Sequence, residues 1–258
     1  MAPMRILIQI KAVFIAFFLF VFVVTPACII ALPFGLHRRI KIVSPAWKFC
    51  QTMVLRIVCH MKIDIAEDHR SEHLKVSPPP GLYISNHQSY IDIPFITSMY
   101  QVPPIMKKEV LYIPVIGQVG WISGGLPVSR SSGGSRRKVF TETRHRLVDQ
   151  NIGMQVYPEG TRSKTTHPKS FEEIKKTLLV FAFNEKIPVI PTSIYGTRGV
   201  LNSNGMINPG RHAGIIVHKE ILPQNFATAD DFAKACWNKV LEGYDQMRAK
   251  LAPLNGES

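Results

Sequence analysis

His87 and Asp92 stand five positions apart in Asn86-His87-Gln88-Ser89-Tyr90-Ile91-Asp92. A single turn of chain brings a carboxylate at that spacing to the imidazole. A carboxylate bound to one ring nitrogen fixes the tautomer and stabilises the imidazolium, leaving the other nitrogen free as a general base. The plainer alternative for His87 alone is a hydrogen-bonded loop histidine. A second block, Tyr157-Pro158-Glu159-Gly160-Thr161-Arg162-Ser163, offers different chemistry. Arg162 can fork onto phosphate oxygens, and Gly160 permits close backbone approach. Glu159 can position Arg162 or accept from a substrate hydroxyl. A surface turn with an ion pair would use the same residue types.

Other chemistries lack their residues. The sequence contains no Gly-x-x-x-x-Gly-Lys-Ser/Thr, Gly-x-Gly-x-x-Gly, Gly-x-Ser-x-Gly or His-Glu-x-x-His. Phosphate loops, a nucleophile elbow and a zincin helix are therefore not signalled. Cys28, Cys50, Cys59 and Cys236 form no Cys-x-x-Cys pair and show no metal-ligand spacing. Free structural thiols on a reducing face of a membrane are the expectation, with no metal.

Both blocks directly follow apolar, strand-like runs. Residues 82–85 read as a strand after the Pro78-Pro79-Pro80-Gly81 break, and 154–157 as a strand ending at Pro158. Strand ends are where α/β sheets build their sites. Residues 104–106, 189–195 and 214–218 are further strand candidates. Val139, Phe140, Thr143, Leu147 and Val148 suggest a helix. Ser170 and Glu173 have capping-box spacing ahead of Ile174, Leu178 and Phe181. The apolar positions from Phe232 to Leu251 predict a long terminal helix. Alternating strands and helices imply an α/β domain.

Together, Asn-His-x-x-x-x-Asp and the later Pro-Glu-Gly-Thr-Arg-Ser, both after strands, resemble the glycerolipid acyltransferases, and most closely the 1-acylglycerol-3-phosphate acyltransferases. Two supporting stretches match in order: Lys107-Lys108-Glu109-Val110-Leu111 running on to Arg130, and Ile187-Pro188-Val189-Ile190-Pro191. The resemblance implies a mixed β-sheet flanked by helices, preceded by N-terminal membrane-associated helices. It implies that His87 is the general base on an acceptor hydroxyl and that Asp92 orients it. Glu159, Gly160, Thr161 and Arg162, with Arg130 and Lys107, would hold the acceptor's phosphate region. The hydroxyl of lysophosphatidic acid would attack the thioester of acyl-CoA or acyl carrier protein, giving phosphatidic acid without any cofactor. Acylation of another lysolipid, such as a lyso-ornithine lipid or a lysophospholipid, is the alternative, and a non-catalytic lipid-binding protein a further one. Three positions depart from the family pattern. Ser129 replaces the usual Asp, Tyr157 replaces Phe, and Phe171-Glu172-Glu173-Ile174 stands where Phe-Lys-x-Gly is usual.

The rest of the chain suits a lipid surface. Its 258 residues carry a net charge of +13, a pI near 9.7 and a slightly positive mean hydropathy. Such a pairing points to an anionic partner. No RNP, zinc-finger or helix-turn-helix pattern supports nucleic acid. Residues 12–36 carry no charged side chain, and Phe14, Phe17, Phe18, Phe20 and Phe22 fall among them. That stretch is long enough for a bilayer, at about 20 apolar residues per crossing, with Pro26 able to kink or break it. A cleaved signal peptide would have a shorter apolar region. Trp47, Cys50, Val54, Leu55 and Val58 make one face of a second helix, either interfacial or packed on the main domain. The expectation is a membrane-anchoring segment over 1–60, an acyltransferase domain over 61–258, and a place on the cytoplasmic face of the inner or endoplasmic-reticulum membrane.

Overall fold

The computed structural model describes residues 2–113, 116–128, 133–163, 165–201 and 206–257. Helix α1 (Ala2–Leu19) runs through a π-helical turn at Phe20–Val24 into α2 (Thr25–Ala31). Pro26 lacks an N–H, and its ring crowds the carbonyl one turn back. The chain accommodates this by widening the preceding turn, where Thr25 Oγ1 donates to Phe20 O at 3.0 Å. The helix thus continues past Pro26. After a short turn, α3 (Leu36–Met53) leads into a second π-helical turn at Val54–Val58. Trp47 and Cys50 pack against Phe20, Val24, Cys28 and Ala31. Leu55 and Val58 enter the core beside Ala213 and Ile215. That face is therefore packed on the protein rather than laid on a lipid surface.

Two helices follow the sequence pattern less closely. The outer side of α1 and α2 exposes Phe14, Phe17, Phe18, Phe22, Ile29 and Ile30, and residues Gln9–Ala31 are long and apolar enough to cross a membrane. Yet the helix and the start of α3 beyond it both touch the α/β domain. The Gln9 side-chain amide and the Ile207 backbone exchange hydrogen bonds at 3.2 and 3.3 Å. Just past the other end, His37 Nε2 meets Gln150 O at 3.0 Å.

The strands are β1 (Lys62–Asp68), β2 (Leu82–Ser85), β3 (Ile105–Lys107), β4 (Leu126–Val128), β5 (Met154–Val156), β6 (Val189–Tyr195) and β7 (His212–Val217). The main sheet has the order β1-β7-β6-β2-β5, and β3-β4 form a smaller sheet. Strands β2, β5 and β6 are mutually parallel, β3 and β4 are parallel, and a parallel bridge from Pro104 to Gln155 joins the two sheets. Strand β7 runs antiparallel to β6 and parallel to β1. The main sheet is thus mixed: β2, β5 and β6, with β3 and β4 of the smaller sheet, deliver their C-terminal ends to one edge, and β1 and β7 run the other way.

Helices pack both faces. The α4 segment (Asp92–Met99) sends Phe95 and Ile96 into the core with Tyr83 and Ile190, on the side of the N-terminal helices. On the other side, α7 (Thr177–Asn184) and α9 (Ala229–Leu251) bury Phe181, Phe232, Trp237 and Val240 against Leu82, Ile84 and Val189. Thr228 caps α9 by accepting from Asp231 N. Half of the Ser170–Glu173 box forms, with Ser170 N donating to Glu173 Oε2 at 3.0 Å while Glu173 N donates to the Ser170 backbone carbonyl. It closes a turn instead of a helix, because Phe171 and Ile174 both point into the core, and α7 starts only at Thr177. Helices α5 (Ile116–Ile122), α6 (Gly133–Arg144) and the short α8 (Thr197–Val200) complete the set used below.

Candidate active site

Asn86 continues β2 in a different currency. Its side chain donates to Ile194 O at 2.8 Å and accepts from Ile194 N at 2.9 Å, so it stitches the strand end to β6. The chain then turns sharply into α4, whose first residue is Asp92. His87 Nδ1 lies 2.7 Å from Asp92 Oδ2. The same oxygen accepts from the backbone N–H of Gln88 at 2.7 Å and of Ser89 at 2.9 Å. Asp92 Oδ1 accepts from Thr197 Oγ1 at 2.5 Å. Asp92 is fully buried, and its place in the first turn of α4 favours negative charge. A carboxylate this well supplied with donors is an acceptor for Nδ1–H, which fixes the tautomer with Nε2 unprotonated. The His87 side chain keeps 15% of its surface exposed, so the ring is not sealed into the core.

The second block packs against the first. Tyr157 stacks on the His87 ring, centroids 4.1 Å apart. Glu159 is buried, and both carboxylate oxygens meet backbone donors: Oε1 accepts from His87 N at 2.7 Å and Oε2 from Lys169 N at 3.4 Å. Burial raises the Glu159 carboxyl above its ordinary range, and the two backbone N–H groups oppose that shift. Ser163 N donates to His87 O at 2.7 Å. The blocks, far apart in sequence, are thus bonded on both sides of His87.

Gly160 has φ +70°, a left-handed conformation that costs a side-chain-bearing residue. A Cβ there would also lie 3.0 Å from Lys175 Cε. Thr161 is exposed. Arg162 lies over the exposed Tyr90 ring, 3.9 Å from its centroid. Stacking holds a guanidinium flat and leaves its N–H edge available for an oxyanion. Lys107 is exposed at the C-terminal end of β3, on the same edge of the sheet as His87 and Glu159. Arg130 and Ser129 lie outside the described residues.

Several neighbours carried no sequence signal. Tyr90 sits within the first block yet reads as one exposed aromatic. Lys175 reaches Gly160 from just after the stretch that departs from the family pattern. Arg198 Nη1 donates to Ser163 O and Thr165 O at 3.0 and 2.6 Å, gripping the loop after Arg162. Thr197 meets Asp92 across 105 residues of sequence, a separation no local pattern reveals. Among the described residues, no three His, Cys, Asp or Glu side chains gather as a metal site would require.

A buried Asp–His pair beside a loop built around an arginine, both at the ends of parallel strands, defines the class of site. The family model described as Acyltransferase matches residues 66–195, half of the chain, and the chain belongs to that family. It is 32% identical over 174 residues to the chloroplastic 1-acyl-sn-glycerol-3-phosphate acyltransferase BAT2 of Brassica napus, covering 66% of this chain and 48% of that protein. It is 28% identical over 145 residues to the 1-acyl-sn-glycerol-3-phosphate acyltransferase of Escherichia coli (strain K12), covering 55% of this chain and 56% of that one. The chain spans about half the length of the curated relatives it matches. The crystal structure of the 1-acyl-sn-glycerophosphate (LPA) acyltransferase PlsC from Thermotoga maritima superposes with a TM-score of 0.79 at 22% identity, covering 96% of this chain and 98% of that one. The two share a fold.

Proposed function

We propose that the chain transfers a fatty acyl group from acyl-CoA or acyl carrier protein to the free hydroxyl of a 1-acylglycerol-3-phosphate, giving phosphatidic acid. The observation that carries this reading is the His87 ring, held through Nδ1 by buried Asp92 while part of its surface stays exposed. His87 Nε2 takes the proton as the hydroxyl oxygen attacks the thioester carbonyl. The tetrahedral intermediate collapses, the C–S bond breaks, and the proton passes to the leaving thiolate. General base catalysis of this kind contributes about 10²–10⁴-fold, with positioning of the two substrates supplying more. No enzyme nucleophile and no cofactor enter these steps.

In this reading Arg162 receives the acceptor phosphate, with Lys107 approaching from the end of β3 and Arg130 serving the same phosphate. Glu159 and Gly160 shape the loop, and Thr161 faces the opening. The exposed phenylalanines of α1 and α2 enter lipid. Gln9 of that helix and His37 of α3, past the turn, both bond to the α/β domain, and the arrangement that fits is a helix lying along one leaflet rather than crossing both. The cytoplasmic face, where acyl thioesters and reduced thiols occur together, suits the four buried free cysteines.

The test uses purified full-length protein in vesicles with two thioester donors and a panel of lysolipids. Phosphatidic acid formed from lysophosphatidic acid, with matching thiol release, is the expected result. Turnover of a different lysolipid and none of lysophosphatidic acid would refute the acceptor. Absence of any transfer would refute the reaction.

A further inference from the structure

Three donors converge on Asp92 Oδ2: His87 Nδ1 and the backbone N–H groups of Gln88 and Ser89. Among the described residues, the donor on Oδ1 is Thr197 Oγ1, at 2.5 Å. Both side chains are fully buried, so no solvent stands ready to replace that bond. The placement of Thr197 is built into the backbone. Gly196 before it has φ +88°, and a Cβ there would collide with His212 O and Ala213. That turn ends β6 and aims Thr197 inward at Asp92. Four residues on, Leu201 O accepts from Ser89 Oγ at 3.1 Å. The short α8 therefore holds the His87–Asp92 segment at two points.

We infer that Thr197 is a positioning residue that acts through Asp92, keeping its carboxylate bonded on both oxygens so that His87 stays oriented and deprotonated for catalysis. This rests on the reading of His87 as the base. The physical argument is one of asymmetry. A hydrogen bond to a buried charged acceptor contributes more than one between neutral groups, and an oxygen left unpaired in the interior is costly. Without the hydroxyl, the pair with one proton fewer loses more than the pair with one proton more. The couple then holds its extra proton to a higher pH. Other ionisable groups facing the pair are Tyr157, stacked on the ring, and Glu159, bonded to the His87 backbone. Neither of these is altered by a change at Thr197.

The test compares Thr197→Val, which keeps shape and loses the donor, with Thr197→Ser, which keeps the donor. Steady-state acyl transfer is followed across pH in vesicles. Thr197→Val should move the acid limb of the kcat profile to higher pH. At neutral pH it should lower kcat about tenfold while KM for the acceptor stays within about twofold. Thr197→Ser should restore the profile. In an Asp92→Asn background, Thr197→Val should cost nothing further, because a residue that acts through Asp92 has nothing left to act on. Should the Val variant not fold, as judged by circular dichroism, Thr197→Ala removes the same donor with the same expected profile. A uniform fall in kcat with an unmoved acid limb overturns the inference. So does a full additional loss in the Asp92→Asn background. Wild-type protein that transfers no acyl group refutes the reaction itself and this inference with it. Wild-type activity with an unshifted Thr197 variant refutes this inference alone.

Discussion

Two histidines in this molecule sit beside an oxygen partner in ways that look alike on paper. His87 meets Asp92 at 2.7 Å, and His218 Nε2 meets Ser193 Oγ at 2.8 Å. The second pair has the residue types of a nucleophile and its base. Its surroundings give it a different job. Ser193 donates to Val240 O at 2.8 Å, so its hydroxyl proton points at the α9 backbone and not at the imidazole. Gly243 of α9 lies directly on the pair, where even a methyl group would collide with both side chains. His218 is buried, and burial, helped by Lys239, lowers its pKa to about 4. Ser193 and His218 therefore clip α9 to β6 and β7. His87 differs in one respect that decides function: its carboxylate partner is buried while part of its own surface stays exposed. Residue types and separations do not distinguish a base from a clip. Access on one side does.

The widest separation between the pairs should come from removing the base. His87→Ala should lower kcat for acyl transfer by about 10²–10⁴-fold with the folded state intact, checked by assay beside a thermal melt. Loss of stability with activity preserved in the folded fraction would reverse the roles assigned to the two histidines. Next is the pH dependence of folding. The folded His218 titrates near 4 and the unfolded one near 6.5. Between those values the unfolded chain binds the additional proton, so stability is complete above about pH 6.5 and falls as pH drops toward 4. The loss is up to about 3 kcal/mol. His218→Asn should flatten that slope in denaturant titrations at several pH values.

Ser193→Ala should then cost about 1–3 kcal/mol, since it leaves the His218 N–H buried without its acceptor, while kcat stays near wild type. A large fall in kcat would mean that the clip takes part in the reaction. The smallest expected effect belongs to the open site. Arg162→Lys keeps the charge but loses the fork and much of the stacking on Tyr90, so KM for a phosphorylated acceptor should rise about tenfold with kcat little changed. An unchanged KM would remove Arg162 from phosphate recognition.

Much of this was readable from the chain because the important signals are local. His87 and Asp92 fall within one turn, and both blocks follow short apolar runs bounded by Pro or Gly. The strands at 82–85, 154–157 and 189–195 were visible for the same reason. Strand β1 was not, because Lys62, Asp64, Glu67 and Asp68 give an edge strand the composition of a loop. Strand β4 is three residues long with Pro127 at its centre, and its existence depends on β3 beside it. Thr197, Glu159 on the His87 backbone, and the Ser193 clip are all contacts between distant segments. Sequence spacing has no access to those. The Ser170–Glu173 pair shows the converse, a correct local bond whose helix is displaced by the burial of Phe171 and Ile174.

The N-terminal helix is fastened to the α/β domain at Gln9, and α3, the helix that follows it, at His37. A helix joined at one end would be a tether, and its domain would sample a volume set by the linker. Fastened on each arm, and packed together through Phe20, Val24, Trp47 and Cys50, the helical pair and the domain move as one body. With the exposed phenylalanines in lipid, the opening over His87 would then sit at one fixed depth, facing molecules that diffuse in two dimensions. Turnover would follow the number of acceptor molecules per unit of membrane area. Diluting the vesicles at constant lipid composition would leave the rate per bound enzyme unchanged, whereas diluting the acceptor within the bilayer would lower it.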